Sequence, residues 1–158
     1  MSFTNFQQAI ELATKCNYYT IIQGGKSSED IIKAEKLLDI KFSKQNVEFY
    51  RKLGYLSFYG TEIFGIEPDD NSEILEGNSV AYALNDRKEY GLPQEWLPIY
   101  NYNDGNMAYL NYGILNEDGE PEVIIAIYTG NGYEIAEKVA NDFGDFLLQL
   151  VQQQLDSQ

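Results

Sequence analysis

Apolar residues recur along this chain at two spacings, and the switch between them divides it into helices and strands. Phe3, Phe6, Ile10 and Ala13 share one stripe at helical spacing, which predicts a first amphipathic helix ending before Asn17. Tyr18 to Ile22 reads as extended, and Gly24-Gly25 as a flexible link. Ile31, Ala34 and Leu38 define a second helix, with Ser28 placed to cap its first free N–H groups. Ser43 opens a third, whose buried side is Val47, Phe49, Tyr50 and Leu53 and whose end is marked by Gly54.

After Gly54 the period drops to two. Leu56 and Phe58 alternate with Ser57 and Tyr59, Gly60 interrupts, and Ile63, Phe64 and Ile66 resume, which predicts strand, tight turn, strand. Residues 68–78 are polar and read as a surface loop. A helix is expected from a Ser79 cap through Tyr90, with Val80, Ala81 and Leu84 inward and Gly91 at its end. Pro93 and Pro98 bracket Trp96, so a central strand is expected only after Pro98. Asn106 to Leu115 and Glu122 to Thr129 read as two strands joined through Asp118-Gly119. Phe143, Phe146, Leu147, Leu150, Val151 and Leu155 form the last helical stripe, behind an Asn141 cap and with Asp142 and Asp145 near the positive end of the dipole. Helices at both ends and consecutive strands between them predict an α+β fold: one domain over residues 1–158, with a mainly antiparallel twisted sheet flanked by N-terminal helices and a C-terminal helix.

Several of these segments together resemble the SUKH superfamily, which includes Smi/Knr-type cell-wall regulators and bacterial immunity proteins. Ile32 to Ile40, with Glu35 in an acidic slot, is similar to the family's first helix signature, and Phe49 to Gly54 to its second. Tyr59-Gly60, Ile63-Phe64-Gly65-Ile66, Gly91-Leu92-Pro93 and Leu97-Pro98-Ile99 resemble its later elements, and Ala140 to Val151 its closing helix. Phe42-Ser43 and Tyr55-Leu56 depart from the usual Leu-Pro and Gly-Gly. The resemblance implies the same α+β fold. It also implies a non-enzymatic immunity protein that binds a cognate secreted toxin domain of a polymorphic toxin system, or alternatively a regulatory protein-binding scaffold.

Charge sharpens this picture. The chain of 158 residues has a net charge of −14, and since residues 1–52 hold +2, the remainder holds −16. Such a surface repels nucleic acid and anionic membrane and steers a basic partner, so a basic toxin is the expected partner and neither nucleic acid nor membrane is. The longest apolar run, Val123 to Tyr128, is too short to span a bilayer, and a soluble, cytoplasmic protein is expected. One cysteine, Cys16, excludes an internal disulfide.

The chemical inventory argues against catalysis. There is no histidine, which removes the commonest general base and the Ser-His and Cys-His pairs. Calcium-loop patterns fail at Gly105, where Tyr102 takes a required position, and at Gly119, where Ile114 does. Glu117, Asp118, Glu120 and Glu122 read as a solvated acidic loop, and Glu35 as a partly buried structural carboxylate. No catalytic residue, metal site or cofactor is expected. The thirteen tyrosines are the other bias, since tyrosine supplies large amphipathic contact area at low entropy cost. The expected partner-binding surface therefore combines Tyr59, Tyr100, Tyr102, Tyr109 and Tyr112 with the acids Asp69, Asp70, Glu73 and Asp104.

Overall fold

The computed structural model describes residues 2–15, 19–67 and 77–158. In chain order they form α1 (Ser2–Lys15), β1 (Thr20–Ile22), α2 (Ser28–Leu38), α3 (Lys44–Lys52), β2 (Leu56–Phe58), β3 (Thr61–Ile63), α4 (Ser79–Tyr90), β4 (Trp96–Asn101), β5 (Asn106–Leu115), β6 (Pro121–Tyr128), β7 (Tyr133–Ala140) and α5 (Phe143–Asp156). The fold is α+β, with helices at both ends as expected. Its strands make two antiparallel sheets, ordered β1-β2-β3 and β4-β5-β6-β7. Directly after β3, a backbone bond from Phe64 N–H to the Ile99 carbonyl, 3.0 Å, ties the small sheet to the large one.

The helix starts obey the capping rule but often use the neighbouring residue. Ser27, not Ser28, caps α2 by accepting from Asp30 N–H. Ser43 caps α3 as expected, accepting from Asn46 N–H. Asn78 takes the α4 cap and frees the Ser79 hydroxyl to donate to the Pro98 carbonyl. Asp142 replaces Asn141 at α5, its Oδ1 accepting from Asp145 N–H at 2.9 Å. Adjacent polar residues cap almost equally well, so periodicity alone does not choose between them.

Two further expectations are corrected, and one strand has no counterpart in the sequence reading. Gly24-Gly25 is no loose link: a Cβ on Gly25 would collide with the Arg51 carbonyl oxygen, and Lys26 N–H bonds the Tyr50 carbonyl at 2.8 Å. The strand containing Pro98 starts earlier, at Trp96, because β4 lies at the edge of its sheet and the register shifts directly after Pro98. Strand β7 carries no clean hydrophobic alternation because it is the other edge. Glu134, Ile135, Glu137 and Lys138 are exposed there, and two register shifts break its pairing with β6.

The large sheet is covered on both faces. On one, α5 supplies Phe143 and Phe146, packed against Phe6 of α1, Phe49 of α3 and Tyr100 of β4. On the other, Tyr90 of α4 meets Tyr128 of β6 with ring centroids 4.9 Å apart, and Trp96, Tyr109 and Tyr133 form an aromatic cluster. This double cover explains why β5 buries Ala108, Tyr109, Leu110 and Asn111 in succession. Among the described residues no helix is long and apolar enough to cross a membrane.

Candidate functional site

The structure brings part of the expected tyrosine surface together. Tyr59 and Gly60, both at positive φ (51° and 81°), form the tight turn between β2 and β3. The half-buried Tyr59 ring stacks on Tyr19 with centroids 4.5 Å apart. Tyr100 at the end of β4 and Tyr102 just after it are also half-buried and pack edge to face at 4.7 Å. Asp104 is exposed, its Oδ1 accepting from Asn106 N–H at 3.0 Å to hold the loop. A cleft of about 220 Å³ lies where the two segments meet, lined by Gly60, Glu62, Phe64, Tyr82, Tyr100 and Asn103 among others. Burial first, then the Asp104 charge, raises the Tyr100 phenol; burial with neighbouring Tyr100, Glu137 and Asp104 pushes Tyr102 up to about 12.

Tyr109 and Tyr112 do not belong to that surface. Tyr109 is only 2% exposed, enclosed by Trp96 and Tyr133 beneath α4, and burial drives its phenol far above the ordinary tyrosine value. Tyr112 points its hydroxyl inward, where it accepts from Ser43 N–H at 3.0 Å and Asn46 Nδ2–H at 2.8 Å. Its role is to tie β5 to the start of α3, and burial pushes its phenol up to about 12. Asp69, Asp70 and Glu73, like Cys16, lie outside the described residues.

Two carboxylates are held by backbone donors, and one of them departs from its sequence reading. Glu35 is structural as expected: Oε2 accepts from Phe42 N–H at 2.8 Å and pins the chain between α2 and α3. Glu120, expected in a solvated loop, is 3% exposed. Its Oε2 accepts from Gln45 N–H at 3.2 Å, and Gln45 in turn accepts from Gly144 N–H at 2.7 Å, so the first turns of α3 and α5 converge beside it. Burial raises the Glu120 carboxyl above its ordinary value; bonds from Ser43 and Gln45 oppose this, and the charges of Asp142 and Asp118 add to it. Glu120 Oε1 and Asp142 Oδ2 are buried without a hydrogen-bond partner.

Beside this pair opens a broader groove of about 730 Å³, between the β5–β6 turn and the beginnings of α1 and α5. Ile114 and Leu115, 55% and 52% exposed, stand at its edge. The sequence signal for it was an aliphatic pair directly before the polar turn Asn116-Glu117-Asp118-Gly119, a place where a strand end has nothing left to pack against. No group of three or more Cys, Asp or Glu side chains that could hold a metal ion occurs among the described residues.

No curated protein matches the chain. The family SUKH_6, described as SMI1-KNR4 cell-wall, matches residues 28–147, from the first residue of α2 into α5. That span holds the Glu35 anchor, the Tyr59-Gly60 turn, both sheets apart from β1, and the buried Glu120. Since the match covers most of the sequence, the chain belongs to the SMI1-KNR4 family of the SUKH superfamily.

Proposed function

We propose that the chain is a non-enzymatic immunity protein, which binds a cognate secreted bacterial toxin domain of basic character and neutralises it. The observation that carries this reading is the charge asymmetry: −16 resides after residue 52, and Asp104, Glu117, Asp118, Glu134 and Glu137 of that region are exposed. An acidic protein of this kind speeds encounter with a basic one, while desolvated aromatic or aliphatic contacts slow its release. A nuclease is the toxin class that fits best, because its substrate channel is already built for phosphate.

The test looks for a toxin domain encoded by the neighbouring gene and pairs the protein with it. Coexpression should relieve toxicity, and stopped-flow association should slow steeply from low to high salt while dissociation changes far less. Continued toxicity with the protein in excess overturns the immunity reading. A salt-independent on-rate removes the role of the charge. The family's description as cell-wall favours a second reading, a regulatory protein-binding domain, for which the partner would be an endogenous protein without toxicity.

A further inference from the structure

We infer that the groove between the β5–β6 turn and the N-terminal ends of α1 and α5 docks a cationic segment of the partner protein, one that presents lysine or arginine next to an aliphatic side chain. The identity of that partner rests on the proposed binding function; the chemistry of the groove does not.

Its walls carry Glu117, Asp118 and Glu122 from the hairpin and Asp142 and Asp145 from the start of α5, against Lys138 as the one cationic side chain lining it among the described residues. The helix ends offset little of this. Two N-termini contribute roughly +0.5 each, against a net −4 from the lining side chains. Lys138 engages the wall only loosely, with Nζ 3.9 Å from Glu122 Oε1.

Asp142 supplies an independent pointer to a cation. The residue is fully buried yet lines the groove; Oδ1 is committed to the α5 cap, and Oδ2 has no partner. Glu120 behind it adds a second buried carboxylate with one unpartnered oxygen. Leaving a charged acceptor unsatisfied is costly, and a guanidinium or ammonium arriving from the groove is the group that would relieve it.

The aliphatic half of the recognition comes from the strand register. Asn111 pairs with Glu122 and Leu115 with Pro121, so β5 spends extra residues between these pairs and bulges. Tyr112 turns inward to the α3 cap, and its N–H bonds the Glu95 carbonyl at 2.8 Å instead of the β6 ladder. Ile114 and Leu115 are left exposed beside the acids. The rival surfaces lack this pairing of features. Among the described residues Glu62 is the one carboxylate lining the tyrosine cleft, and the patch on α2 mixes Glu29 and Asp30 with Lys33 and Lys36.

The experiment titrates the full chain with three synthetic peptides, Lys–Leu, Lys–Ser and Glu–Leu alternating sequences, while backbone amide shifts are followed by NMR. The Lys–Leu peptide should bind, with shifts concentrated at residues 114–118 and 142–145. Its Kd should rise about tenfold or more for Ile114→Ser with Leu115→Ser, and likewise for Glu117→Gln with Asp118→Asn. Asp142→Asn should weaken it too, with the fold retained because asparagine caps a helix as well as aspartate. Lys138→Gln should strengthen it. Lys–Ser should bind more weakly and Glu–Leu not at all.

No binding of Lys–Leu, or shifts centred on Tyr100 to Asp104, overturns the inference. So do equal shifts from calcium chloride alone, which would mark a simple ion site. The same two double variants, tried against the neighbouring toxin, separate this inference from the proposed function. Neutralisation with unchanged affinity discards the groove and keeps immunity; peptide binding in the groove without neutralisation does the reverse.

Discussion

Tyr100 and Tyr109 stand on neighbouring strands of one sheet, and the protein uses them in opposite ways. Tyr109 projects toward α4 and is closed in by Trp96 and Tyr133, whereas Tyr100 emerges after the register shift at Pro98, meets Phe146 of α5 and Tyr102 and stays half-buried. The residue type is the same and so is the sheet; what differs is the cover. A tyrosine therefore becomes core or surface according to what the next element lays over it, a long-range decision that its own strand does not encode.

The largest expected effect would test that difference directly. Tyr109→Ala should cost about 3–5 kcal/mol in denaturant unfolding, the range for emptying a large aromatic site in a packed core. Tyr100→Ala should cost less than half as much, because part of its ring already faces solvent. Equal losses would break the comparison and place Tyr100 in the core.

The same reasoning says how far the sequence could be read. The α5 stripe predicts its helix because Phe143, Phe146, Leu147 and Val151 all face one continuous core, so local periodicity and tertiary burial agree. The α2–α3–β2–β3 run was legible for a similar reason: caps, a terminal Gly54 at φ 73° and the Tyr59-Gly60 turn are short-range features. Strand β7 was not, since an exposed edge carries no burial signal. Glu120 was missed because its neighbours Glu117 and Asp118 are solvated, and only the meeting of α3 and α5 across the sheet encloses it. Among the residues expected at the binding surface, Tyr59 and Asp104 sit in local turns, while the burial of Tyr109 and Tyr112 depends on helices distant in sequence.

An intermediate effect distinguishes two ways of using a phenol. Tyr112→Phe removes the acceptor for Ser43 N–H and Asn46 Nδ2–H, leaving buried donors unpaired at a cost of about 1–3 kcal/mol. Tyr102→Phe, on the half-exposed loop, should change stability by no more than about 0.5 kcal/mol. Thermal or urea unfolding of the two variants measures both, and a Tyr112→Phe protein as stable as the parent would show that the hydroxyl does not hold β5 to α3.

The smallest effect concerns protons, and it extends the comparison to both faces of the sheet. Each buried tyrosine has a buried carboxylate near it: Asp86 of α4 on the Tyr109 side, Glu120 on the Tyr112 side. Burial raises both above their ordinary values of 3.8 and 4.5. A carboxyl raised in the folded state binds its proton more tightly there than in the unfolded chain. Its contribution is therefore fully present below the ordinary value and is lost as pH rises through the raised one. Stability should fall with rising pH across that window, opposite to the trend from a carboxylate held by a salt bridge. Glu120→Gln keeps an acceptor for Gln45 N–H but removes the charge, so it should flatten the slope above pH 4.5 and make the protein more stable near neutrality. Asp86 contributes in the same direction, so the double variant with Asp86→Asn should flatten the slope further. Urea midpoints from acid to neutral pH check this, and an unchanged slope in Glu120→Gln would mean that the buried carboxylate ionises without penalty.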